Sequence, residues 1–211
     1  MDIRNIMQKI SDKRKIFHSE ADFQFALAWE IQLSYSSAKI RLEYPLPDLP
    51  DKPDLPDKFI DIIVWLEGNT YPIELKYKTK KLETFIDGEH FNLKNHGAQN
   101  LGKYDFIKDI CRIEEFATRL DGFKEGHAIW LTNDSSYWNK PEKGNSNAGY
   151  APFSVYEGIE KTGIMEWDKS LSIDKGRANP LELKSKYVIK WKEYSDLKIT
   201  NGLFKYALIS V

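Results

Sequence analysis

A single cysteine, Cys111, in 211 residues leaves no internal disulfide framework and no zinc site built on paired cysteines to consider. No run of about 20 apolar residues occurs. The opening MDIRNIMQKISDKRK alternates charge with aliphatics and lacks the apolar core of a secretory leader. Neither sign of charge is in excess: 31 Lys and Arg against 32 Asp and Glu exclude both a histone-like cation and an acidic tail, so any basic surface must be local. G-x-S-x-G, Walker and G-x-G-x-x-G patterns are missing. His18-Ser19-Glu20 imitates the H-x-E of zinc deaminases but has no downstream cysteine pair. These absences lead to the expectation of a soluble, cytoplasmic protein with no membrane span.

The composition, 41% hydrophobic, is enough for one main domain over residues 1–211. Ile3, Ile6, Met7 and Ile10 recur at helical spacing, and SEADFQFALAWEIQLSY predicts a second helix with Ser19 as its cap. IRLEYPL reads as a strand that stops where Pro47, Pro50, Pro53 and Pro56 recur every third residue, the period of extended polyproline. KFIDIIVWLEG and TYPIELKYK predict two strands joined by a turn at Gly68 and Asn69. A polar stretch from Lys78 to Gly97 precedes a long helix over AQNLGKYDFIKDICRIEEFATRL, with Leu101, Tyr104, Ile107 and Cys111 on its apolar stripe. HAIWLTND is a further strand, followed by a polar loop. Strand-like pieces then occur at PFSVYEG, GIMEWD, YVIKWKEY and LFKYALISV. Trp29, Trp65 and Trp130 sit in apolar segments and are expected in the core. The class is therefore α/β with a β-rich C-terminal extension over 150–211, which continues or flanks the sheet and is open to a role in substrate choice or a homodimer contact.

Charges inside these strands need a reason, because burying an unpaired carboxylate costs several kcal/mol. Asp61 interrupts Phe59-Ile60-Asp61-Ile62-Ile63-Val64, and Glu74 and Lys76, two residues apart on an extended chain, share one face. If the two strands pair, Asp61 and Glu74 converge beside a lysine. Carboxylates of this kind suit a hard divalent cation whose other positions go to water and phosphate. Lys76 is then placed to orient or help deprotonate a bound water. The plainer reading is a salt-bridged hairpin.

At these residues the chain resembles the PD-(D/E)XK nuclease superfamily, the restriction-endonuclease-like fold, in which an acidic residue on one strand precedes D/E-x-K on the next. Here the match is Asp61 and then Glu74-Leu75-Lys76, with Ile60 where the family name has proline. The family's core order, α-β-β-β-α-β around a central mixed sheet, follows the elements from Ser19 to Asp134, a nuclease-like core at residues 16–135. The resemblance implies Mg²⁺, with Mn²⁺ as a substitute, bound by Asp61, Glu74 and the carbonyl of Leu75, and a catalytic Lys76. It implies hydrolysis of phosphodiesters in DNA, in processing, repair or defence; the residues do not separate DNA from RNA. A nuclease fold that has lost its chemistry and only binds nucleic acid or a protein is the alternative. Many members carry a helical Glu that reaches the metal through water, and Glu20 is so placed. Some carry a Gln then a Tyr on the second core helix; Gln99 matches, whereas Tyr104 falls off its face and reads as core.

Lys78, Lys80 and Lys81 leave the end of the Lys76 strand, and Lys103, Lys108 and Arg112 follow on the long helix, so phosphates have a basic patch to dock on. A solvated lysine cluster explains the same run. Tyr137 and Trp138 are candidates for base stacking. His90 and His96 have no ligand partner at a convincing spacing.

Overall fold

The computed structural model describes residues 1–45, 59–141, 148–173 and 175–211; the proline-rich repeat lies outside them. Two side-chain caps start the first helices. Asp2 accepts from the Asn5 N–H at 3.0 Å and opens α1 (Ile3–Lys13), and Ser19 accepts from the Asp22 N–H at 3.1 Å and opens α2 (Glu20–Ser34). Then come β1 (Lys39–Pro45), β2 (Phe59–Leu66), β3 (Asn69–Lys78), β4 (Leu82–Ile86), β5 (Glu89–Leu93), α3 (Gln99–Arg119) and β6 (His127–Thr132). After a 3₁₀ turn at Ala148–Phe153 follow β7 (Glu160–Met165), β8 (Leu181–Val188), β9 (Trp191–Asp196) and β10 (Leu203–Ser210).

The fold is α/β around a mixed six-stranded sheet, ordered β1-β2-β3-β6-β10-β9, in which only β3 and β6 run parallel. Side chains alternate across it. Ile62, Val64, Ile73, Leu75 and Tyr77 belong to the core under α1 and α2, with Phe17, Phe23, Leu27 and Ile31. Ile63, Ala128 and Trp130 belong to the core under α3, which extends beneath β7–β8 through Phe106, Phe153 and Trp167. Among the described residues no helix is long and apolar enough to cross a membrane.

Several expectations change. The turn between β2 and β3 is Glu67-Gly68, both at positive φ (53° and 76°), one residue earlier than expected, as a two-residue type I′ hairpin requires. The polar stretch after Lys78 contains the β4–β5 hairpin, turning at Asp87 and Gly88 with φ of 51° and 84°; its strands are half solvated, so no apolar run advertised them. PFSVYEG forms no strand, its start being taken by the 3₁₀ turn that includes Pro152. Trp29 is 57% exposed, on a stripe with Phe25 and Leu33, because α2 is apolar around much of its circumference and only one side meets the sheet. Tyr137 and Trp138 are core residues, Tyr137 packing on Trp130 at 4.3 Å and Trp138 on Trp191 at 5.9 Å, and have no face left for a base.

His127, the first residue of β6, is fully buried, and burial, assisted by the N-terminal amine and Arg4, lowers its pKa from the ordinary 6.5 to about 4. Between those values the unfolded chain takes up a proton that the folded chain refuses, so this residue lowers stability as pH falls through the window. Urea unfolding of the wild type and His127→Gln from pH 7 to pH 4 should show a wild-type loss on acidification that exceeds the variant's by roughly 3 kcal/mol. Parallel profiles would refute the assignment.

Candidate functional site

The pairing of β2 with β3 runs from Leu66↔Asn69 to Ile62↔Ile73 and stops. From there β2 continues alongside β1, through Tyr44↔Ile60 to Pro45↔Phe59, while β3 goes on beside β6 to Lys78. The two strands part, and the β3 edge that faced β2 is left without a ladder partner. Two carboxylates enter the gap. Asp61 Oδ2 accepts the Leu75 N–H at 2.6 Å, and Glu20 Oε2, from the first turn of α2, accepts the Tyr77 N–H at 2.6 Å. In a strand the N–H and C=O of one residue share an edge, so the Leu75 carbonyl faces the same gap. Gln24, buried on α2, steadies the parting by donating to the Asp61 carbonyl at 2.7 Å and to Glu43 at 2.8 Å. A hollow of about 140 Å³ results, lined by Glu20, Ala21, Gln24, Glu43, Asp61 and Leu75.

Glu74 and Lys76 point from β3 toward α3, into a row of alternating buried charges. Arg112 donates to Glu74 Oε2 at 2.9 Å and lies 4.0 Å from Asp109, which in turn is 2.8 Å from Lys76 Nζ. Counted as ionised, these four groups sum to zero. Asp61 and Glu20 are therefore surplus acid at the mouth of a neutral interior. Burial raises the Asp61 carboxyl to about 6, against the pull of the Leu75 N–H, and nearby Asp109 adds to the rise while Lys76 opposes it. Burial also holds Glu74 well above the usual carboxylate range, with Asp109 and Asp61 adding to it and Arg112 working against it. Burial alone would lower Lys76, yet Asp109 outweighs it and keeps the ammonium above its ordinary value. Lys76 is thus a fixed cation.

The donor set can be tested against a divalent cation. Glu74 Oε1 is buried with no hydrogen-bond partner among the described residues, an orphan acceptor of the kind a cation satisfies. Asp61 carries a carboxylate that burial leaves under-compensated. No group of three or more His, Cys, Asp and Glu side chains forms a ready-made cage among the described residues. An open set of carboxylates and a backbone carbonyl, completed by water and phosphate, is the kind that Mg²⁺ accepts.

The other sequence candidates divide. Gln99 opens α3 and lies 3.3 Å from Asp134, beside the Lys80–Asp134 ion pair of 3.3 Å. It sits ten residues before Asp109, roughly 15 Å along the helix, and does not join Asp61, Glu74 and Lys76. Lys81 bonds Asn92 and is 4.0 Å from Glu83, and Lys103 is half-buried, its pKa lowered by burial and partly restored by Asp134. Arg112, expected on the basic surface, is turned inward. Lys78 of the proposed patch lines an open hollow. Asp109, Gln24 and Glu43 are residues beside the candidate site that the sequence reading missed, and Arg112 is one to which it gave a surface role. Asp109 had a signal: Gly102, Phe106, Asp109, Ile113 and Phe116 form one buried stripe of α3, so a carboxylate interrupts an apolar face just as Asp61 interrupts β2.

No family model, curated protein or solved structure matches the chain.

The buried row makes a stability prediction. Arg112→Met strands Glu74 without its cation and should lower the unfolding free energy by about 3 kcal/mol or more. Adding Glu74→Gln to that variant should recover a large part of the loss in urea titrations. Equal effects of Glu74→Gln in both backgrounds would show that the two side chains are not coupled.

Proposed function

We propose that this chain is a Mg²⁺-dependent nuclease of the PD-(D/E)XK type, with the restriction-endonuclease-like arrangement of its core, hydrolysing phosphodiester bonds in DNA and accepting Mn²⁺ in place of Mg²⁺. The observation that carries this reading is the parting of β2 and β3, which sets Asp61 in the gap opposite Glu74-Leu75-Lys76. Asp61, Glu74 Oε1 and the Leu75 carbonyl are the groups that would hold the cation, with Glu20 reaching it through water. Once bound, Mg²⁺ supplies a Lewis acid and a water of lowered pKa.

The rest of the chemistry belongs to the chain. Asp109 keeps Lys76 protonated, so Lys76 acts by donating a hydrogen bond and countering negative charge on the phosphate, not as a base. Asp109 also fixes where that ammonium stands. Gln24 and the Leu75 N–H hold Asp61 from its backbone and side-chain ends. Arg112 holds one oxygen of Glu74 and leaves the other for the cation.

One observation favours a second reading. The pairs Glu74–Arg112 and Lys76–Asp109 are already satisfied inside the protein, as they would be in a silent member of the fold that binds nucleic acid or a protein partner. Incubating purified protein with labelled single- and double-stranded DNA and RNA, in Mg²⁺, Mn²⁺ or EDTA, separates the two. Metal-dependent cutting should fall at least about 100-fold in Asp61→Asn and in Lys76→Met. Tight, metal-independent binding with no cutting of any polymer would decide for the silent binder.

A further inference from the structure

A hollow of about 360 Å³ adjoins the acidic one and shares Glu20 with it. Its lining also includes His18, Lys78, Asn92, Lys94 and His96, so it is basic and polar where its neighbour is acidic. Thr79, a buried residue of the lining, pins the segment that follows β5. Its hydroxyl donates to the Lys94 carbonyl at 2.7 Å, its N–H donates to His96 Nδ1 at 2.9 Å, and its carbonyl accepts the His96 N–H at 2.7 Å. The segment carrying Lys94 and His96 is thereby tied to the end of β3, beside Lys78. With Nδ1 accepting, the neutral His96 ring carries its proton on Nε2 and offers a donor. Lys78 and Lys94 form no ion pair among the described residues, in contrast to Lys80 and Lys81. The Glu20 carboxylate is engaged with the Tyr77 N–H, and His18 is paired with Glu89 at 2.8 Å and stacked on Phe91.

We propose that this hollow is a phosphate subsite, seating a backbone phosphodiester of a nucleic-acid strand between the ammonium groups of Lys78 and Lys94 and the imidazole N–H of His96. Two unpaired ammonium groups and a neutral donor on a pinned wall supply charge and direction for an anion, and Asn92 adds an amide. The placement beside Asp61, which makes this phosphate a neighbour of the one to be cut, rests on the nuclease reading; binding of the phosphate does not. A strand can set one phosphate against Lys78 and Lys94 and the next over the acidic hollow, where only a bound cation makes it welcome. The β4–β5 hairpin, which precedes Lys94, is on this reading part of the strand-binding surface.

The test is the salt dependence of binding of a short fluorescein-labelled single-stranded DNA, followed by anisotropy in EDTA so that nothing is cut. Lys78→Gln and Lys94→Gln should each weaken binding and lower the slope of log K against log salt by about 0.7, the share of one phosphate contact on a single strand. Lys186→Gln, which removes an exposed lysine paired with Glu160 on the β7–β8 hairpin, should leave the slope unchanged. Wild-type slopes in both hollow variants, or no binding by the wild type, would overturn the subsite, whether or not the protein cuts DNA. Lowered slopes in a protein that never cuts would keep the subsite and remove the nuclease reading. Inorganic phosphate at matched ionic strength is the last arm: displacement of the strand by millimolar phosphate would show a site for free phosphate and overturn its assignment to a polymer.

Discussion

Everything at the site depends on β2 and β3 ceasing to pair after Ile62↔Ile73. A buried strand edge cannot leave its N–H groups unpartnered, so the ends of the parted strands must be closed by something other than a ladder. Here the closure is made by side-chain carboxylates from two different elements, Asp61 and Glu20, each taking one β3 N–H. A charged acceptor on a backbone N–H is among the stronger hydrogen bonds, which is how the sheet tolerates the opening. Were the ladder to continue, Asp61 would be displaced from Leu75 and the acidic hollow would close. The same bonds that repair the sheet therefore gather the acid.

The row Glu74, Arg112, Asp109, Lys76 looks at first like a stabilising feature, but the desolvation of four charges makes it a weak source of net stability. Well-packed apolar side chains in those positions would hold α3 on β3 at least as well. What the row does achieve is to fix charge states. Asp109 secures a protonated Lys76, and Arg112 engages one Glu74 oxygen while the other stays bare. Because the row pairs its own charges internally, it leaves Asp61 little compensation for its burial, and that burial, with nearby Asp109 adding to it, is what raises the Asp61 carboxyl.

Much of this was legible in the residues. A lone carboxylate in an apolar strand and a Glu-x-Lys pair on one face of the next are anomalies that burial makes costly, so Asp61, Glu74 and Lys76 stood out. Asp109 breaks the same rule on a helix, but it is seen only when the stripe is drawn through Phe106 and Ile113, not through Leu101, Tyr104 and Cys111. Glu43 and Gln24 gave no local signal: their meeting depends on how β1 lies against α2, which no spacing records. Gln99 shows the converse error, a residue of the right type in the right helix, set too far along it by a register that sequence order does not reveal. The β4–β5 hairpin did carry its mark, Asp87-Gly88, and was hidden by strands too polar to look like strands.

The opposed character of the two hollows constrains how a polyanion could use them. The gap is lined by Asp61, Glu20 and Glu43 and would repel a phosphate until a cation is present, whereas the hollow lined by Lys78, Lys94 and His96 would attract one. On the proposed nuclease reading, a strand would therefore gain most of its charge-dependent binding away from the reacting position, and the acidic gap would contribute attraction only when it holds a cation. That division separates affinity from chemistry. On the proposed reading, side chains in the basic hollow would govern how firmly a strand is held, and Asp61, Glu74 and Lys76 what happens to it. Glu20 lines both hollows while tied to the Tyr77 N–H, so its loss must disturb both.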